Sequence, residues 1–459
     1  EGVDQAVVIT RDTQFGEKQL IAYVVMSGEE SVNGLRPRLK EHLPEYMVPA
    51  HFVRLDALPL TTNGKVDRQA LPSPTSEVIT RSEQYVVPGT LLERELAKIW
   101  SELLGLQQVS IHDDFFEVGG HSLLAIRMRS MVQDRLKRDL SLRDLFRAPT
   151  IAGLARLLEQ SSDQAPDQPS DHPASAIVVE IQPYGSRTPF FAVHPVGGNV
   201  LCYADLAREL GVEQPFYGLQ APAPALQLDP VATLEQMADL YIQAMRSVQP
   251  SGPYQLGGWS LGGLLAWEIA RQLTDQGETV ALLALIDTYP VNKATKDKTS
   301  EDFDVLRWFA GDMARLLGKD ADEMRDNFEQ LGREEQWTTV QNALVQYGVV
   351  PRENAHAEMT RLIEIFGRNF RAMERYSLRQ TEQNVLLLLA AEGQAPEQLA
   401  RQWKQWAGGG VEYHLVPGDH YTMIRRPNVT VIADALNRRL NDLSERVAGV
   451  AAAASRESI

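Results

Sequence analysis

Tyr254-Gln255-Leu256-Gly257-Gly258-Trp259-Ser260-Leu261-Gly262-Gly263-Leu264-Leu265 decides the fold of the larger part of this 459-residue chain. A short apolar run ends in a serine, and an apolar helical pattern begins directly after it. A strand that passes into a helix through one residue turns sharply, and glycines two positions before and after the serine suit that turn. The serine is then presented at the carboxyl edge of a sheet and at the N-terminus of a helix.

Strand patterns flank this junction at Phe190–Val193, Phe216–Leu219, Val280–Ile286, Val385–Ala391 and Tyr413–Val416, with helical text such as Leu261–Gln276 between them. That alternation predicts a mostly parallel, doubly wound sheet. With the serine elbow it reads as an α/β-hydrolase domain over residues 177–446. A serine hydroxyl attacks only when an imidazole takes its proton and a carboxylate fixes the imidazole. The chain supplies Ser260, Asp287 and His420 in the order this fold uses, separated by 27 and 133 residues. Asp287 closes an apolar strand, and His420 sits in the loop Pro417-Gly418-Asp419-His420-Tyr421. His414 competes as the base but falls within a strand pattern. Cys202, Asp205 and Asp419 are read as structural. The oxyanion hole is expected from the N–H groups of Leu261 and of Val196 in His194-Pro195-Val196-Gly197-Gly198. From Asn292 to Gln380 the text turns mainly helical, with Trp308, Phe309, Met313, Leu316 and Leu317 suiting an amphipathic helix of a lid. No metal site is expected.

Two smaller pieces precede this domain. In the first, residues 1–71, Gln5–Thr10 and Leu20–Met26 read as strands and Val32–His42 as helix, a small α+β unit. It ends in Leu60-Thr61-Thr62-Asn63-Gly64-Lys65-Val66-Asp67-Arg68, where Lys65 stands in a glycine-bounded turn. In the second, residues 88–160, Thr90 and Glu93 form a capping box before Leu92, Leu96, Ile99, Trp100 and Leu103. A second helix runs from Ser122 towards Asp134, and a last one, capped by Thr150, turns Leu154, Leu157 and Leu158 inward. This predicts a four-helix bundle. Ser122 ends the loop Asp114-Phe115-Phe116-Glu117-Val118-Gly119-Gly120-His121, an exposed helix-cap position that a modifying enzyme can reach. Pro72-Ser73-Pro74-Thr75-Ser76 and the proline-punctuated Gln160–Ser175 are seams, the latter too polar to fold.

A net charge of −16 argues against a nucleic-acid partner. The longest apolar run, Val385 to Ala391, is far too short to span a bilayer. One cysteine excludes an intrachain disulfide, and the opening Glu1-Gly2-Val3-Asp4 has no signal-peptide pattern, so a cytoplasmic location is expected.

Together these motifs resemble the end of a nonribosomal peptide synthetase termination module. The order is an adenylation C-terminal subdomain, a peptidyl carrier protein and a type I thioesterase. The resemblance implies a multidomain chain with a small α+β subdomain, a four-helix carrier bundle and an α/β-hydrolase domain with a helical lid. It makes Ser122 the attachment point of 4′-phosphopantetheine and Lys65 the lysine that holds the substrate carboxylate and α-phosphate during adenylation. It implies a peptidyl thioester substrate, a phosphopantetheinyl transferase and upstream synthetase domains as partners. The large adenylation core is not in this sequence, so no amino-acid activation is expected from it. A carrier scaffold without turnover and a free-standing esterase remain alternative readings. As a flexible coil, Gln160–Ser175 has an r.m.s. span on the order of 20 Å. Deleting half of it should slow transfer from Ser122 to Ser260 but not hydrolysis of a small soluble thioester, with both rates followed side by side.

Overall fold

Strand alternation sorts the first residues into two faces. The computed structural model describes residues 2–12, 18–27, 35–40, 49, 51–61, 65–68, 70–72, 86–106, 108–116, 118, 120, 122–138, 140, 142–160, 177–222, 233–291, 305–316, 328, 331–393 and 395–457. It divides into two units, Glu1–Gln164 and Ala165–Ile459. The linker after Gln160, the seam 73–76, and Asn63, Gly64, Gly119 and His121 lie outside the described residues. In the first unit β1 (Val3–Asp12) pairs antiparallel with β2 (Lys18–Met26), setting Val7 opposite Tyr23 and Ile9 opposite Ile21. Ala22, Val24 and Met26 face α1 (Leu35–Lys40) through Leu35 and Leu39, while Ile21 and Tyr23 pack on Leu58 and Leu71. Successive residues of β2 thus bury on opposite sides, as period-two geometry requires. A third strand, β3 (His51–Arg54), runs parallel to β2 and was not expected. At four residues, with a histidine and an arginine at its ends, it carries too little pattern to read.

Further along the same unit lie four helices, α2 (Leu91–Leu104), α3 (Ser122–Leu136), α4 (Leu142–Arg147) and α5 (Ile151–Gln160). Thr90 Oγ1 accepts from Glu93 N–H at 3.1 Å and Glu93 Oε2 accepts from Thr90 N–H at 2.9 Å, closing the capping box. Leu96, Ile99, Trp100 and Leu103 are buried, with Trp100 edge-on to Phe115 at 5.1 Å. Thr150 caps α5 through Gly153 N–H at 3.1 Å. Leu154 and Leu158 point inward as expected, but Leu157 is only half-buried, because it falls at the margin of the apolar stripe.

The second unit is built on a seven-stranded sheet of order β10-β9-β8-β7-β5-β6-β4. Its strands are β4 (Val178–Gln182), β5 (Phe190–Val193), β6 (Phe216–Leu219), β7 (Tyr254–Trp259), β8 (Val280–Ile286), β9 (Val385–Ala390) and β10 (Val411–Val416). All neighbours are parallel except β4, which runs antiparallel to β6 at the edge and adds to the expected strands. Helices α6 (Ala204–Leu210), α7 (Leu234–Arg246) and α8 (Leu261–Asp275) follow in order. After β8 come α9 (Val305–Leu316), α10 (Arg333–Gln346) and α11 (Ala355–Arg375), and after β9 come α12 (Pro396–Trp403) and α13 (Val429–Glu457). β7 and β9 are buried along their whole length, and β9 accordingly reads as a continuous apolar run, while β7 buries Gln255 among its apolar residues.

The helices between β8 and β9 have a core of their own, in which Leu306 and Phe309 of α9 meet Phe366 and Phe370 of α11. Leu306, Phe309, Ala310 and Ala314 form the buried face of α9, and Trp308 at its margin is 53% exposed with its ring 5.6 Å from that of Phe370. Leu317 lies outside the described residues. Helix α13 continues to Glu457, past the expected boundary at 446, because the run Ala451 to Ala454 has the highest helix propensity available. No helix among the described residues is long and apolar enough to cross a membrane.

Trp267 of α8 is fully buried, 5.0 Å from Trp403 of α12, and its indole N–H donates to Arg379 O at 3.3 Å. Trp267→Ala should cost about 3–5 kcal/mol in denaturant unfolding. A loss under about 1 kcal/mol would show that the two helices repack around the void.

Candidate active site

Where β7 hands over to α8 the chain has no room for side chains. A Cβ on Gly258 would sit 2.2 Å from the Gly262 backbone, and one on Gly262 would sit 2.2 Å from Val193 O on the neighbouring strand. Between them Ser260 adopts φ 59, ψ −124. This left-handed conformation is held by Ser260 N–H donating to Ile286 O at 2.9 Å and Thr288 Oγ1 donating to Ser260 O at 3.2 Å.

Asp287 follows β8, the strand beside β7, and it too has a positive φ, of 40. It is 1% exposed. Oδ1 accepts from Ala390 N–H at 3.0 Å, and Oδ2 lies 2.6 Å from His420 Nδ1. That contact assigns the proton to Nδ1 and leaves Nε2 as the basic nitrogen. Trp259, the residue before the serine, lies with its ring 5.0 Å from the His420 ring and donates its indole N–H to His420 O at 3.1 Å. No hydrogen bond joins the Ser260 hydroxyl to His420 among the described contacts; such bonds commonly tighten only with substrate present. His414, the rival base, is on β10 with Nε2 2.8 Å from Glu412.

The loop after β5 turns back at Gly198, whose N–H donates to Pro195 O at 2.9 Å. Val196 O accepts from the Asn369 side chain of α11 at 2.9 Å, while Val196 N–H finds no acceptor among the described residues. Leu261, the first residue of α8, has an N–H with no intrahelical acceptor by helix geometry. Both N–H groups are thus left without a protein acceptor among the described residues.

Beneath the loop, His194 is fully buried, with Nδ1 2.7 Å from Pro195 O and Nε2 2.6 Å from the Tyr241 hydroxyl. The Tyr203 hydroxyl donates to Val193 O at 2.6 Å and accepts from Trp259 N–H at 2.8 Å, bridging the ends of β5 and β7. None of Tyr203, Tyr241 and Asn369 was singled out by sequence. Asn369 left one signal, a polar pair Arg368-Asn369 between Phe366 and Phe370 on the buried face of α11. Asp205 pairs with Arg208 at 3.1 Å, and Asp419 accepts from Tyr421 and Thr422 N–H groups at 3.0 and 2.8 Å. Cys202 is unpaired by disulfide and burial pushes its thiol pKa up.

In the first unit, Ser122 opens α3. The approach to it is pinned by Gly120, whose N–H donates to Phe115 O at 2.7 Å and where a Cβ would meet the Phe115 ring at 2.4 Å. Lys65 is exposed in a turn where Thr61 N–H donates to Lys65 O at 2.7 Å.

The Thioesterase domain family matches residues 188–440, the Phosphopantetheine attachment site family residues 94–158, and the AMP-binding enzyme C-terminal domain family residues 1–65. The chain is 33% identical over 456 residues to chondramide synthase of Chondromyces crocatus, covering 96% of this chain and 11% of that protein. It is 44% identical over 289 residues to a dimodular nonribosomal peptide synthase of Bacillus subtilis, covering 63% of this chain and 12% of that protein. The chain therefore spans about a tenth of the length of these curated relatives. Among solved structures, a four-domain holo nonribosomal peptide synthetase bound to AMP and glycine superposes with a TM-score of 0.54 at 31% identity, covering 95% of this chain and 32% of that one.

Burial lowers the His194 pKa from the ordinary 6.5 to about 4, against the pull of the Pro195 carbonyl. Between these values the unfolded chain binds the proton and the folded one does not, so stability is full above 6.5 and falls as pH drops towards 4. The loss is on the order of 3 kcal/mol. Urea unfolding of His194→Gln should show a shallower pH dependence over that window, and an unchanged slope would remove His194 from the linkage.

Proposed function

Because the chain belongs to the thioesterase domain family, we propose that it releases a peptidyl chain from a thioester through a covalent intermediate on Ser260. His420 acts as general base and Asp287 orients it. The observation that carries this reading is the 2.6 Å Asp287–His420 bond at the carboxyl edge of the sheet, beside the strained turn that holds Ser260. Residues 1–71, 88–160 and 177–446 are read as adenylation subdomain, peptidyl carrier protein and thioesterase, with a four-helix carrier bundle around Ser122. The substrate class follows from the relatives, which are nonribosomal peptide synthetases.

With Nδ1–H donated to Asp287, His420 Nε2 takes the Ser260 proton as Oγ bonds to the thioester carbonyl carbon. The carbonyl oxygen becomes an oxyanion held by Val196 and Leu261 N–H. When the C–S bond breaks, the imidazolium returns its proton to the leaving thiolate, and the acyl group stays on Ser260 as an ester. A second nucleophile, deprotonated by His420, then attacks the ester carbonyl, and as the bond to Ser260 Oγ breaks the imidazolium returns its proton to Oγ. Water gives a linear acid, and an amine or hydroxyl of the chain itself gives a macrocycle. Helices α9, α10 and α11 serve as the lid, and excluding water under it favours the second outcome.

Ser122 would hold 4′-phosphopantetheine as a phosphodiester, and the group supplies the thiol that bears the acyl chain. A phosphopantetheinyl transferase installs it, and upstream synthetase domains provide the chain. Lys65 keeps the position of the adenylation lysine, a role that also needs the adenylation core. The setting is cytoplasmic secondary metabolism, with antibiotic-type peptides as the product class.

Ser260→Ala, treated with coenzyme A and a phosphopantetheinyl transferase, should gain the full mass increment on Ser122. Its release of a loaded peptidyl chain should fall by about 10⁴-fold or more. Release at the wild-type rate would assign the nucleophile elsewhere, and no mass gain on Ser122 would overturn the carrier reading.

A further inference from the structure

Helix α9 is fastened at two points to the loop that carries His420. The Tyr421 hydroxyl donates to Asp312 Oδ1 at 2.8 Å, and the Arg425 guanidinium donates to Leu316 O at the last residue of the helix. Arg315, on the same face as Asp312, lies over the Tyr421 ring at 5.8 Å from its centroid. Tyr421 in turn meets the His420 ring edge-on at 5.1 Å and the Trp259 ring at 6.1 Å. The tyrosine therefore stands between an inserted helix and the imidazole, and Trp259 is the residue next to Ser260. Burial pushes the Asp312 carboxyl upward, while the Tyr421 bond and the nearby His420 and Arg315 pull the other way. Placing a carboxyl there has a cost that its bond to Tyr421 offsets.

Tyr421 and His420 are consecutive, so a backbone rotation that frees the tyrosine also moves the imidazole. The bond from His420 to Asp287 tolerates little such movement, since an error of about 1 Å in a catalytic group can cost 10²-fold in rate. We propose that Tyr421 and Asp312 are positioning residues for His420, the hydrogen bond between them holding the imidazole against Asp287 when α9 is docked. Docking of the inserted helix and alignment of the base are then one event, and a displaced α9 leaves a slack base as well as an open site. This inference rests on the reading of Ser260, His420 and Asp287 given above.

The test uses the full chain and a small soluble acyl thioester, with kcat and KM separated, and fluorophosphonate labelling of Ser260 as a second readout. Tyr421→Phe and Asp312→Ala should each lower kcat and the labelling rate about tenfold, the size of one lost side-chain hydrogen bond. KM should stay within about twofold, as expected for a pair that acts through the imidazole rather than by binding substrate. Asp312→Asn, which keeps an acceptor, should recover most of the loss. The double variant Tyr421→Phe/Asp312→Ala should be no slower than either single variant, since one bond is removed only once. The proposal fails if Tyr421→Phe turns over within about twofold of wild type, if the effect falls on KM alone, or if the two losses multiply. Ser260→Ala separates the two levels: turnover in that variant sinks the nucleophile assignment, whereas its abolition alongside a normal Tyr421→Phe sinks only the coupling.

Discussion

The close approach of α8 to the ends of β5 and β7 is the constraint on which the rest of the second unit depends. Gly262 lies against Val193 O and Gly258 against Gly262, so the helix enters with no intervening side chain. That contact forces the left-handed turn at Ser260, a conformation that costs on the order of 1–3 kcal/mol for a residue with a Cβ. Among the described residues only four non-glycine positions have positive φ, and Ser260 and Asp287 are two of them. Strain is thus concentrated on the groups whose direction matters. Backbone bonds to Ile286 and Leu388, on flanking strands, hold it in place.

A strained edge of this kind needs support that does not yield, and it comes from buried polar groups with their partners in reach. Tyr203 ties Val193 to Trp259, and His194 is clamped between Pro195 O and Tyr241. Each is a hydroxyl or imidazole taken out of water, tolerable only because its hydrogen bonds are made. Glu268 on α8 follows the same rule, with Arg271, Gln272 and Tyr376 all donating to its buried carboxylate.

Over this edge lie α9 and α11, joined to each other through Phe309 and Phe366 at 5.7 Å. One reaches the Val196 loop through Asn369, and the other reaches the His420 loop through Asp312. The inserted helices accordingly contact both the loop of the proposed oxyanion donor and the loop of the proposed base. Val196 itself packs against both the sheet core and the core of the inserted helices.

What the sequence determined by itself was whatever depends on local spacing. Glycines around Ser260, the apolar runs of β8 and β9, the Thr90–Glu93 box and the Ser, Asp, His order could all be read because each is written in neighbouring residues or in chain order. Short strands such as β3 and β4 could not, since a few residues of mixed polarity take their strand form from the partner they pair with. The contacts of Tyr203, Tyr241, Asn369 and Asp312 were likewise decided only by tertiary structure. Their bonds to Trp259, His194, Val196 and Tyr421 span 56, 47, 173 and 109 residues, and no local pattern records a partner that far away. The same holds for Trp308, which keeps 53% of its surface exposed at the margin of α9 while its ring lies 5.6 Å from that of Phe370 on α11. A sequence period fixes that a helix has an apolar side, while the packing partner fixes which residues at its margin are covered.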